Sequence, residues 1–194
     1  MRRYNEKQIE KIIGRNREWI GTVSARYRIP DAVICAVLRK ELKEIDYLDA
    51  AADLVVRMGI FRKKDSSTGP MQIFGKTGLR AVNFARDRGI ASYEDLGVGS
   101  SRRLNEKERG DIRLIWKKLH RDEHANIEIA ALNLLSAAEE MTGRIDFAGY
   151  TPEELKHIFT RYNQNTKRIT PYGEETYQYY LQYLQAEKEG QLSL

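Results

Sequence analysis

Three groups of residues in this 194-residue chain have types and spacing suited to chemistry. The first is Glu41 in "DAVICAVLRKELKEI", residues 31–45. Ile34, Val37, Leu38 and Ile45 recur at helical spacing, and Glu41 falls on their stripe: four after Val37, three after Leu38, four before Ile45. Arg39, Lys40, Lys43 and Glu44 belong to the face expected to meet water. A carboxyl on an apolar face is costly unless it is paired or protonated. The bland reading is an ion pair in the core. The chemical reading is a general acid, because burial and the negative end of a helix both favour the protonated form that can give a proton to a leaving oxygen.

The second group is "DSSTGPMQIFGKTG", residues 65–78, which offers a carboxylate, hydroxyls, a flexible Gly69 and an amide within a few residues. A polar turn entering a helix is its simplest reading. The third is the pair His120 and His124, four apart and so on one helical face. That spacing suits a metal, but no third ligand accompanies it, and no metal or other cofactor is expected. The single Cys35, within "AVICAVL", excludes an intramolecular disulfide and reads as a small buried hydrophobe.

These groups need helices to position them. Apolar residues at helical spacing predict a helix over 5–28, a second over 31–44, a third over 48–61 and a fourth over 75–88. "NEKE" at 105–108 reads as a capping box, Asn105 with Glu108, opening a helix that runs through Leu119. A long helix over 123–142 follows, then one opened by "TPEE" at 151–154 with Pro152 at its first position, and a last one over 173–188. No segment sustains strand alternation. The fold class is therefore all-α, with at most a short hairpin near 60–68. With no linker, repeat or low-complexity stretch, a single domain over 1–194 is expected.

Net charge is +5 and the isoelectric point about 9.2, which favours an anionic partner. No apolar run is long enough to span a bilayer, and "MRRYNEKQIEK" does not continue into the apolar core of a secretory signal. A nucleic-acid-binding role would use the basic surface, yet no helix-turn-helix signature, zinc spacing or basic-aromatic block is present. No nucleic-acid partner and no transmembrane segment are expected, and the protein is expected to be a monomer.

Taken in order, the segments resemble the soluble lytic transglycosylases and goose-type lysozymes. "PDAVICAVLRKE" matches that family's helix ending in a catalytic Glu, with Pro30, Ala36 and Glu41 in register. "STGPMQ" matches its Ser-x-Gly-x-x-Gln segment through Ser67, Gly69, Met71 and Gln72. "NIEIAALNL", residues 126–134, matches a third motif in part, with Ala130 in a Gly position and Asn133 in a Tyr position. "RYNQN" supplies Tyr162 and Asn163, with Asn165 in a Gly position. Glu175, Thr176 and Tyr179 fit the closing Glu-Thr-x-x-Tyr. Leu42 stands where the family usually has Ser or Thr, and residues 90–122 look like an insertion.

The resemblance implies two helical lobes around a glycan-binding cleft. It also implies cleavage of the peptidoglycan strand between N-acetylmuramic acid and N-acetylglucosamine, at the cell wall, with Glu41 as acid and then base. Ser67, Gly69, Met71, Gln72, Tyr162 and Asn163 would contact the sugars. In a transglycosylase one carboxylate serves both steps and a 1,6-anhydro product forms. In an inverting lysozyme a second carboxylate, about 6.5–9.5 Å away, activates water. Asp65 is the first candidate for it by the resemblance, Asp49 the second; a turn-forming Asp65 is the alternative. A non-catalytic lysozyme-like module that binds glycan or a partner is the alternative reading of the whole.

Overall fold

The computed structural model describes residues 4–45 and 65–189. Among them are eight helices and one two-stranded sheet, so the fold is all-α with a short hairpin. The helices are α1 (Glu6–Arg15), α2 (Arg17–Tyr27), α3 (Asp31–Glu44), α4 (Gly75–Asp87), α5 (Arg109–Arg121), α6 (Glu123–Thr142), α7 (Pro152–Asn163) and α8 (Pro171–Lys188). The strands β1 (Ser67–Thr68) and β2 (Ile73–Phe74) pair antiparallel between α3 and α4 in chain order. The helix expected over 48–61, with Asp46, Asp49 and Asp53, lies outside the described residues.

The chain divides into two compact units. One is built on Asn5–Lys43 and the chain from Leu134 onward; the other on Glu44–Asn133. In the first unit α7 packs against α8, and in the second α4 packs against α5, with the hairpin touching both.

The first unit is organised on α3, which is buried along nearly its whole length: Ala32 to Leu38 and Leu42 are core residues. Burying each of Ile34, Val37 and Leu38 stabilises the fold by about 1.5–3 kcal/mol. The expected helix over 5–28 is two helices. Asn16 ends α1 because its side chain donates to Ile12 O at 2.9 Å and so replaces the backbone donor that would continue the ladder. The box at 151–154 forms as expected: Glu154 N donates to Thr151 Oγ1 at 3.2 Å, and Thr151 N to Glu154 Oε2 at 2.7 Å.

The box expected at 105–108 does not form. Asn105 Oδ1 takes the N–H of Lys107 instead, and α5 begins only at Arg109. Asp111 captures the Asn105 N–H at 2.7 Å and is itself gripped by two donors of Arg102, which holds the preceding turn off the helix. The last helix starts two residues before its expected position, with Pro171 in its first turn. The hairpin spans 67–74, carboxyl-terminal to the expected place.

Candidate functional site

Glu41 lies in the last turn of α3 and is 5% exposed, as its place on the apolar stripe requires. Its Oε1 accepts a hydrogen bond from the phenol of Tyr172, on the first turn of α8. Tyr162, near the end of α7, is buried beside it. Burial, with the negative charge of Glu41 added, pushes the Tyr162 phenol well above its ordinary range, so the ring stays protonated. Asn163, the next residue, is exposed at the end of the helix. Glu41, Tyr162 and Tyr172 are thus three buried groups of one unit, one carboxyl and two phenols.

Lys40 departs from expectation. It is buried, not turned to water: its Nζ meets Glu175 Oε2 at 2.7 Å and lies 5.3 Å from the ring centroid of Tyr172. The Lys40–Glu175 pair and the Glu41–Tyr172 bond therefore tie two successive residues of α3 to one turn of α8. Close helix packing makes this possible. A Cβ at Gly173 would lie 2.2 Å from Thr160 Oγ1 and 2.5 Å from Lys156 O on α7, so only glycine admits that approach. Thr160 Oγ1 also accepts the Thr170 N–H at 3.1 Å, bracing the turn that leads into α8. Arg39 pairs with Glu6 and Glu10 of α1 and lies 5.2 Å from the Tyr179 ring centroid. Cys35 is buried and its thiol is pushed up to about 12, chiefly by burial, which keeps it inert.

In the other unit, Ser67, Gly69, Met71 and Gln72 form one closed loop. Ser67 Oγ donates to Gln72 Oε1 at 3.0 Å, and Gln72 Nε2 donates to Gly69 O at 2.8 Å. Gln72 holds φ +43° and Gly69 φ +71°, both left-handed. The residue that Gly69 makes room for is Asn126: a Cβ at 69 would sit 2.3 Å from its Nδ2. Asn126 is fully buried, accepts the Met71 N–H at 2.9 Å and donates to Thr68 O at 2.9 Å. Met71 itself is a core residue with no exposed surface.

Asp65 caps α4 from across the hairpin. Its Oδ1 accepts Gly75 N–H at 2.7 Å and its Oδ2 Lys76 N–H at 2.8 Å, two donors that a helix start leaves without intrahelical partners. Burial pushes Asp65 above the usual carboxylate value, against the pull of the Lys76, Gly75 and Ser66 N–H groups.

His120 Nδ1 is 2.9 Å from Thr68 Oγ1, and its ring stacks on Trp116 at 4.7 Å, so it is built into the contact between α5 and the hairpin. His124 is exposed. Among the described residues no group of three or more His, Cys, Asp or Glu is placed to hold a metal ion, and no helix is long and apolar enough to cross a membrane.

Among the supporting residues, Asn126 and Glu175 entered the sequence reading only as positions in matched motifs, and Tyr172 did not enter it. Asn126 carries a signal in hindsight: an amide inside an apolar run must find buried partners. Tyr172 carries none, and nothing local signals the pairing of Glu175 with Lys40, because both contacts depend on how α8 returns to α3. Compared with models of known protein families, with curated proteins and with solved structures, the chain gives no match.

Proposed function

We propose that this protein is a peptidoglycan-cleaving glycosidase in which Glu41 gives its proton to the oxygen linking N-acetylmuramic acid to N-acetylglucosamine. The observation that carries the reading is the buried Glu41 carboxyl held by the Tyr172 phenol with Tyr162 beside it. As the proton moves to the bridging oxygen, the bond from that oxygen to the muramic C1 breaks and Glu41 becomes a carboxylate. Tyr172 then donates to an anion, and a charge-assisted hydrogen bond is stronger than a neutral one. The bond thus gains strength along the reaction, the kind of interaction that accelerates a step.

The second step has two routes. The capping of α4 by both Asp65 oxygens favours the one with a single carboxylate. There Glu41 takes the proton of the muramic 6-hydroxyl as that oxygen bonds to C1, giving the 1,6-anhydro sugar. By the resemblance, Ser67, Gly69, Gln72, Tyr162 and Asn163 are the sugar contacts, and the cell wall is where the protein acts.

Mass spectrometry of digested peptidoglycan tests this. Anhydro-muropeptides without new reducing ends are expected. New reducing ends would place the protein with the hydrolases, and an intact glycan strand would overturn the glycosidase reading. Glu41→Gln should lower cleavage by about 10²–10⁴-fold, the range for loss of a general acid, with an unchanged circular dichroism spectrum.

A further inference from the structure

Lys40 is a buried ammonium that the proposed cleavage does not use. A buried cation is costly unless something compensates it. Two groups of α8 do so. Glu175 Oε2 lies 2.7 Å from the Lys40 Nζ, and the Tyr172 ring centroid lies 5.3 Å from it. Tyr172 and Glu175 are three apart on α8 and so are neighbours on one helical face.

The two partners differ in setting. Glu175 is 58% exposed, so water and salt screen its charge. Tyr172 is buried, and its phenol donates to Glu41 Oε1. One ring thus meets two successive residues of α3, the ammonium of Lys40 at its face and the carboxyl of Glu41 at its hydroxyl. A cation over a ring is attracted by the ring's π electrons. It draws density from the phenol oxygen and makes the O–H a stronger donor. A stronger donor favours the ionised form of the carboxyl that accepts from it. An ion pair that only joined α3 to α8 would need no contact with the ring that holds Glu41.

The other ionisable groups on the helices around this end of α3 are engaged elsewhere. Glu6 and Glu10 of α1 take Arg39, and Glu6 also takes Lys43. Arg39 and Lys43 both lie against the Tyr179 ring of α8. Arg161 of α7 pairs with Glu140 of α6, and Lys156 of α7 with Glu174 of α8. Tyr162 of α7, beside Glu41, stays protonated.

We infer that Lys40 is a positioning residue for the proposed reaction: acting through the Tyr172 ring, its charge eases the change of Glu41 from acid to carboxylate, and Glu175 is the counter-charge that moderates it. The inference rests on the glycosidase reading for its effect on cleavage, but the coupling of Lys40 to Glu41 is measurable without any cleavage. Loss of the ammonium disfavours the carboxylate. Loss of the Glu175 charge favours it. The two substitutions therefore act on Glu41 in opposite directions, which the loss of a structural tie would not produce.

The test is a carbon NMR titration of the full chain, isotope-labelled at its glutamate side-chain carboxyls, with the Glu41 signal identified by its loss in Glu41→Gln. Lys40→Met is expected to raise the pH at which Glu41 titrates by about 1 unit, the lower end of what a nearby opposite charge does. Glu175→Gln is expected to lower it by a few tenths of a unit, because an exposed charge is screened. The alkaline limb of peptidoglycan cleavage, where Glu41 loses the proton it must give, should move with the titration in each variant. An unmoved Glu41 titration in Lys40→Met, or movement in the same direction in both variants, overturns the inference. Should Lys40→Met fail to fold, Glu175→Gln decides alone, since it alters an exposed group: an unmoved or raised titration overturns the inference. Opposite movements with no cleavage at any pH would support the coupling and overturn the glycosidase reading instead.

Discussion

Glu41 and Lys40 are adjacent on α3 and both buried, yet each finds its own partner on α8. A buried charge without a partner destabilises far more than a lost surface pair does, because its desolvation is left uncompensated. Tyr172→Phe removes the phenol that donates to Glu41. It should lower unfolding free energy by about 0.5–1.5 kcal/mol, the range for a neutral hydrogen bond, measurable by urea denaturation. On the proposed mechanism it should also lower kcat more than it raises KM, because the bond strengthens only as Glu41 loses its proton. A purely structural tyrosine would not produce that split. The place of Glu41 on the buried face was legible in the sequence from the stripe alone. Its phenol donor was not: 131 residues separate the two, and no periodicity reaches that far.

At the scale of elements, legibility followed whether a boundary is local. α3, α6 and α7 have their expected bounds or nearly so, since apolar spacing, a capping box and Pro152 all act within a few residues. The break at Asn16 and the late start of α5 escaped, because each is decided by a side chain bonding where the pattern alone would let the helix run on. The loop over 67–74 is set by a distant residue too. Asn126→Ala would remove its hydrogen bonds to the Met71 N–H and the Thr68 carbonyl, at about 0.5–1.5 kcal/mol for each; thermal unfolding reads the loss. Asp65→Ala removes the cap on α4 and should cost about 0.5–2 kcal/mol. Its pH dependence has a definite sign. The folded value of Asp65 is raised above 3.8, so its contribution is fully present below that value and is lost as pH rises through the folded one. Urea unfolding should therefore show Asp65→Ala more harmful near pH 4 than at pH 7, the reverse of an ion-paired carboxylate.

For the molecule as a whole, the net charge of +5 sets how it meets an anionic surface. Screening lengths shrink from about 30 Å at 0.01 M salt to about 8 Å at 0.15 M. Binding of Glu41→Gln to purified cell walls, measured by co-sedimentation, should fall steadily across that range; salt-independent retention would show that charge plays no part. The order of segments along the chain has a further consequence, for synthesis. The unit that holds Glu41 is discontinuous, begun by residues 5–43 and completed only from Leu134 onward. Tyr172 leaves the ribosome 131 residues after Glu41, a delay of roughly 7–26 s at about 5–20 residues per second. Through most of that interval the apolar stripe of α3 has neither α7 nor α8 beside it. A chain stopped before Pro152 would present a bare carboxyl among exposed isoleucine, valine and leucine, so premature termination there yields an aggregation-prone fragment in place of a partly working protein.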